Sequence, residues 1–217
     1  MKRIEALIRG HEKFKKKYYD GADTQFEALV REGQKPQILI IACCDSRVDP
    51  AIITNCKPGD LFVIRNVANL VPPYENDDTY HGTSAALEFG VTGLGIEDII
   101  VFGHTQCGGI KALVENENNV RCGKGFISKW MELAKPAYDQ VMEFHAATHL
   151  EEQAHLCGQY SLINSYKNLF TFPWIKERVE AGQLFLHAWY FDLHSGNIFC
   201  FDTEKYGFKE LKLEPKA

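Results

Sequence analysis

The stretch that most constrains this chain is Ile38-Leu39-Ile40-Ile41-Ala42-Cys43-Cys44-Asp45-Ser46-Arg47. A short apolar run with polar flanks reads as a central strand, buried on both faces of a sheet covered by helices. The run breaks off into thiols, a carboxylate and a guanidinium. In open α/β sheets, ligands collect at the carboxyl ends of the strands, which is where Cys43 to Arg47 emerge. A second run of the same design, Asp98 to Gly103, delivers His104-Thr105-Gln106-Cys107-Gly108-Gly109. If the two strands lie side by side and parallel, Cys43, His104 and Cys107 meet at one edge. Two thiolates and one imidazole form a catalytic zinc set whose fourth tetrahedral corner is left for water.

Zinc requires deprotonated thiols and a neutral imidazole. Two thiolates cancel the formal charge of the ion, so a bound water is less acidified than on three histidines. Asp45 and Arg47 are the groups at hand to help. If Arg47 engages Asp45, the carboxylate stays charged and is oriented to accept a hydrogen bond from the zinc-bound nucleophile.

The remaining pattern places these two strands in an α/β fold. Residues 4 to 18 set Ile4, Leu7, Ile8, Phe14 and Tyr18 on one helical face. That helix is either packed on its own domain or an arm grasping a partner. Val48-Asp49-Pro50 opens a short helix to about Asn55, and Lys57-Pro58-Gly59-Asp60 is a turn before a strand from Leu61 to Ile64. Residues 74 to 80 read as loop, and a helix starts near His81, where Ala85, Ala86 and Gly90 allow close approach to the sheet. Gly108-Gly109 opens a helix to about Asn116, and Asn116 to Lys124 is polar and turn-rich. Phe126 to His155 is helical with breaks near Pro136, followed by helices from Tyr160 to Phe172 and Trp174 to Ala181. Leu184 to Leu193 and Asn197 to Phe201 form a hairpin across His194-Ser195-Gly196. The expected architecture is a central, mostly parallel β-sheet flanked by helices, with a C-terminal antiparallel edge strand and an N-terminal helical arm. It reads as one zinc-dependent domain over 1–217: arm 1–33, metal-binding core 34–115, C-terminal helices and edge strands 116–217.

The paired signatures Cys43-Cys44-Asp45-Ser46-Arg47 and His104 to Gly109, with Arg65-Asn66-Val67-Ala68-Asn69-Leu70-Val71-Pro72-Pro73-Tyr74 between them, resemble the β-class carbonic anhydrases of the plant-like branch. The resemblance is dense from about Gln34 to Lys111 and thinner from Asn168 to Phe199. It implies one zinc per chain and reversible hydration of carbon dioxide to bicarbonate and a proton through a zinc-bound hydroxide. It also implies that Asp45 can swing onto zinc in a closed state, that Gln34 and the Gly108 amide orient substrate, and that Phe62, Val67 and Phe89 form an apolar wall. An apolar pocket with one or two donors suits a substrate without a net dipole. Gln34 and Phe62 are candidates for donation by a neighbouring subunit, in a homodimer or larger homo-oligomer. Phe89 stands where plant-like relatives carry tyrosine. Ile40 replaces the tryptophan of the bicarbonate-inhibited branch, so no inhibitory site of that kind is expected beside Ile40 and Arg65.

Composition narrows the alternatives. At 217 residues and 45% hydrophobic, the chain can bury a sizeable core. A net charge of −5 with interspersed signs argues against nucleic acid or an anionic membrane. Neither a signal-peptide core nor a membrane span is apparent. Seven cysteines, two of them adjacent, fit a reducing cytoplasmic setting better than a disulfide framework. Cys44, Cys56, Cys122, Cys157 and Cys200 read as buried small hydrophobes. His145 and His149, spaced i, i+4 on an expected helix, read as surface residues, His187 and His194 as packing or solvent, and His81 as a weak proton-relay candidate. The competing function is a non-catalytic protein whose structural zinc is closed by Asp45 with Cys43, His104 and Cys107. A thiol redox module built on adjacent Cys43-Cys44 is weaker, because vicinal disulfides are strained.

Overall fold

The computed structural model describes residues 2–20, 25–115 and 125–213. In chain order the helices are α1 (Lys2–Tyr18), α2 (Gln25–Glu32), α3 (Pro50–Ile53), α4 (Gly82–Glu88), α5 (Gly108–Glu115), α6 (Phe126–Met131), α7 (Lys135–His145), α8 (Leu150–Leu169) and α9 (Pro173–Glu180). The strands are β1 (Ile38–Cys43), β2 (Leu61–Asn66), β3 (Asp98–His104), β4 (Phe185–Phe191), β5 (Ile198–Asp202) and β6 (Gly207–Glu210), in the sheet order β2-β1-β3-β4-β5-β6. The first four run parallel and the last two antiparallel, which is the expected mixed sheet.

The alternation of β1 explains the two cores. Leu39 and Ile41 point to one face, where they pack with Ile99, Val101, Leu87, Val91, Leu162 and Ile175. Ile40 and Ala42 point to the other, against Ile100, Phe102, Ile110, Leu113, Met131 and Val141. A strand covered on both sides cannot tolerate a polar residue until it leaves the core, so the chemistry begins only at its end. Close packing also fixes Gly90, where a Cβ would lie 2.7 Å from Leu39 Cδ1.

Several boundaries differ from the sequence pattern. Helix α2 carries no clear sequence signal, because its eight residues between α1 and Gly33 are too few to show a period. The helical section does not divide between His155 and Tyr160: α8 runs unbroken through both, and the division falls at 146–149. His145 therefore ends α7 while His149 caps α8, so they do not share a helix. The break near Pro136 is a 3-10 turn, Glu132–Ala134, with the proline placed in the first turn of α7, where its missing N–H costs nothing. The edge consists of two antiparallel strands, since β6 follows β5 through a turn at 203–206. The turn-rich stretch 116–124, with Cys122, lies outside the described residues.

Candidate metal centre

β1 and β3 pair in register, Ala42 opposite Phe102, so both release their chains at the same edge. There the Cys43 and Cys107 sulfurs lie 3.9 Å apart. One tetrahedral zinc at about 2.3 Å from each of two thiolates sets them roughly 3.8 Å apart. The candidate ligand atoms of Cys43, His104 and Cys107 all lie within 4.8 Å of one another, and all three residues are buried. His104 Nδ1 sits 2.8 Å from the Thr105 carbonyl, to which it donates as N–H, leaving Nε2 as the lone-pair nitrogen. That Nε2 is buried without a hydrogen-bond partner. Leaving a buried polar atom unsatisfied costs about 1–3 kcal/mol, a cost that metal coordination removes. The donor set and its spacing fit zinc.

Without a metal the two sulfurs are driven in opposite directions. Cys43 is pulled well below the ordinary thiol range by the hydrogen bond with Cys107, helped by the backbone amides of Asp45 and Ala68. Cys107 is pushed up by that same bond, by burial and by the charge on Cys43. In the metal-free pair, one thiol serves as the donor to the other; a divalent cation takes over the compensation for both.

The turns at the metal-binding edge are held in costly backbone. Ala68 and Asn69 after β2, and Gln106 between two of the ligands, have positive φ of 62°, 49° and 57°. Such left-handed residues cost roughly 1–2 kcal/mol each. The first turn is clamped by Asn66, whose Oδ1 accepts from the Leu70 amide at 2.9 Å and whose Nδ2 donates to the Leu70 carbonyl at 2.8 Å. Trp130 Nε1 donates to the Val67 carbonyl at 2.8 Å. Gly109 suits the close approach here: a Cβ would stand 3.0 Å from Val67 Cγ1 and 3.3 Å from Met131 Sδ, so both neighbours would have to give by a few tenths of an ångström. Gly108 by contrast faces open space.

Asp45 and Arg47 form a two-pronged pair, Nε to Oδ1 at 3.0 Å and Nη2 to Oδ2 at 2.7 Å, while the Arg47 amide also donates to Oδ1 at 2.9 Å. The Arg47 guanidinium holds the Asp45 carboxyl well below the usual carboxylate range. Arg65 organises the same turn from behind: it donates to the carbonyls of Cys43 and Asp45 at 2.6–3.0 Å and pairs with Asp49 at 3.0 Å. Its supporting role was not read from the sequence, although it opens the middle signature. Thr105 is a second such support, accepting from the Leu193 amide at 2.9 Å and donating to Asp192 at 3.3 Å. His194 lies 2.8 Å from Gln106 and is thus tied to the ligand loop, a contact with no local sequence signal. Beside the loop is a cavity of about 650 Å³ lined by residues including Arg47, Gln106, Cys107, Lys111, His155 and His194.

The substrate candidates divide into two groups. Val67 and Gly108 stand at the metal-binding end. Phe62 pairs with Leu39, four positions before Cys43, and packs on the opposite core. Four strand residues span about 13 Å. Phe89, half exposed, lies with its ring 6.0 Å from Phe62, and Gln34 is exposed before β1. Within one chain these three do not join the ligand cluster. His81 Nε2 is engaged with Asp77 at 2.7 Å and Thr79 at 2.8 Å in an exposed loop. His187 pairs with Asp98 at 2.7 Å and is partly exposed; of the cysteines expected to be buried, Cys157 is, Cys56 and Cys200 are half-buried, and Cys44, just past the end of β1, is exposed.

Comparison with known proteins agrees with this geometry. A family model described as carbonic anhydrase matches residues 38–198, and the chain belongs to the β-carbonic anhydrases. Beta carbonic anhydrase 5, chloroplastic, of Arabidopsis thaliana is 41% identical over 82% of this chain, which spans 58% of that relative's length. The solved structure of the β-carbonic anhydrase CcaA is 33% identical with a TM-score of 0.90, covering 98% of this chain and 94% of that one. A structure from a study of two tetrameric β-carbonic anhydrases of the ascomycete Sordaria macrospora is 30% identical, with a TM-score of 0.78 and 98% of each chain covered.

Proposed function

We propose that this chain catalyses the reversible hydration of carbon dioxide to bicarbonate and a proton, with one zinc ion held by Cys43, His104 and Cys107. The observation that carries this reading is the unpartnered His104 Nε2 beside two sulfurs at zinc spacing, with Asp45 turned to Arg47. Zinc held by such a set would supply Lewis acidity that lowers the pKa of a coordinated water, though less than a three-histidine site does, since the two thiolates cancel the ion's charge.

The chain's own groups do the rest. Asp45, kept charged by Arg47, accepts a hydrogen bond from the reacting solvent molecule and directs its lone pair toward carbon dioxide. The Gly108 amide donates to the substrate oxygen, and Val67 excludes water from its side. Gln34, Phe62 and Phe89 complete the pocket from a second copy, because one chain holds them at the far end of β1 and β2. Homo-oligomerisation is further supported by the tetrameric relatives from Sordaria macrospora and by the apolar side chains of Ile4, Leu7 and Ile8 exposed on α1.

The closed structural-zinc reading needs Asp45 on the ion, whereas both of its oxygens engage Arg47 here. We take 1–217 as one working domain and place it in a reducing, cytoplasmic setting, supported by six unpaired cysteines among the described residues. No helix among those residues is long and apolar enough to cross a membrane. The deciding experiment measures zinc per chain and carbon dioxide hydration by stopped flow on one preparation. One zinc with hydration well above buffer is expected; one firmly held zinc with no hydration at any pH would favour the structural reading.

A further inference from the structure

Gln106 sits between His104 and Cys107 in left-handed backbone, and both of its oxygens turn to one partner. Its carbonyl accepts from Arg47 Nη2 at 3.2 Å and its Oε1 accepts from Arg47 Nη1 at 3.3 Å. The other end of the amide, Nε2, lies 2.8 Å from His194 Nε2. An amide nitrogen only donates, so His194 Nε2 is the acceptor and its ring proton is on Nδ1. This contact decides which end of the amide faces Arg47. A flipped amide would set its NH2 group against the guanidinium, donor against donor, and would offer its oxygen to the bare His194 nitrogen. The histidine is itself anchored: its backbone N–H donates to Asp192 Oδ1 at 3.1 Å, the same oxygen that accepts from Thr105 on the ligand loop at 3.3 Å.

We propose that His194, on the turn between β4 and β5, is a positioning residue that locks Arg47 onto Asp45 by fixing the orientation of the Gln106 amide. The inference deepens the reading of this site as a carbon dioxide hydratase and rests on it. His194 touches neither the ligand set nor Asp45 by any bond described above; its action passes through one side chain. Because the contact is exposed to solvent, its removal is worth a modest factor, about two- to tenfold.

The test uses the zinc-loaded full chain and two readouts. Arg47 Nε–H, bound to Asp45 Oδ1 at 3.0 Å, should exchange slowly with solvent in nitrogen-edited NMR. His194→Ala should speed that exchange by about two- to tenfold and lower kcat by a similar factor at unchanged KM. His194→Phe, which keeps a ring without an acceptor, should behave like the alanine variant. His194→Gln, which restores an acceptor at similar reach, should recover both readouts. Unchanged exchange and turnover in His194→Ala would overturn the proposal, as would wild-type behaviour of His194→Phe or failure of His194→Gln to rescue. If the unaltered protein hydrates no carbon dioxide, the functional reading falls, and the exchange measurement still decides the lock.

Discussion

The carboxyl edge of β1 and β3 and the N-terminal helices are built on opposite plans. At the edge, the ligand residues are buried, three neighbouring residues hold strained backbone, and Arg65, Asn66 and Thr105 cross-brace the turns. In α1 and α2 no residue is buried, and Leu7 is 71% exposed although it lies on the apolar face of its helix. The two helices hold each other through aromatic contacts, Phe14 and Tyr18 against Phe26 at ring distances of 5.3 and 5.4 Å. The difference separates metal binding, which one chain can complete, from substrate binding, which we assign to a pair of chains.

The sharpest break of that contrast is Cys107→Ser. Removing one of two thiolates should strip zinc and abolish hydration, read by metal analysis and stopped flow; a variant that keeps both would show the ligand set to be wrong. Arg47→Ala comes next. Zinc should remain, while kcat falls about 10- to 100-fold because the partner that orients Asp45 is gone. Full activity would remove Arg47 from the mechanism.

The other region is tested by placing charges on α1. Leu7→Glu combined with Ile8→Glu should weaken subunit association by about tenfold or more, since each buried aliphatic side chain contributes about 1.5–3 kcal/mol. Sedimentation should then show smaller species that keep zinc but lose hydration. Smaller species with undiminished turnover would place the whole pocket within one chain.

The smallest effect concerns the hairpin that leans on the ligand loop. Hydrogen bonds from the Ser195 hydroxyl and the His194 amide lead the causes holding Asp192 below the usual carboxylate range. A carboxyl with a lowered folded pKa stabilises fully above its unfolded value of about 3.9 and loses that contribution as pH falls through the folded value. The thermal midpoint should therefore drop on acidification below about pH 4. Asp192→Asn should lower the midpoint near neutrality by no more than about 2–4 °C and flatten the acid dependence. An identical pH profile in that variant would dismiss the role.

Much of the ligand end was legible because it is written locally. Ile38 to Ala42 and Ile99 to Phe102 are apolar throughout, so both read as buried strands, and each strand stops where its polar motif starts. α2 and β6 were not legible: α2 is too short to show a clear period, and β6 takes its ladder bonds from β5. The continuity of α8 through His155 to Tyr160 was hidden because its apolar and polar residues do not segregate cleanly, the helix being packed against both cores.

The sequence by itself determined the chemical inventory: which side chains can bind zinc, and that Asp45 has Arg47 two residues away to pair with. Spacing along the chain suffices there, because strand ends and two-residue turns allow few geometries. Only the tertiary structure decided that Arg65 reaches back to the Cys43 and Asp45 carbonyls, that Phe62 and Phe89 stand a strand's length from the metal-binding edge, and that His194 meets Gln106 across 88 positions. Those contacts join elements far apart in the chain, and their geometry is set by sheet order and register, which no local pattern encodes.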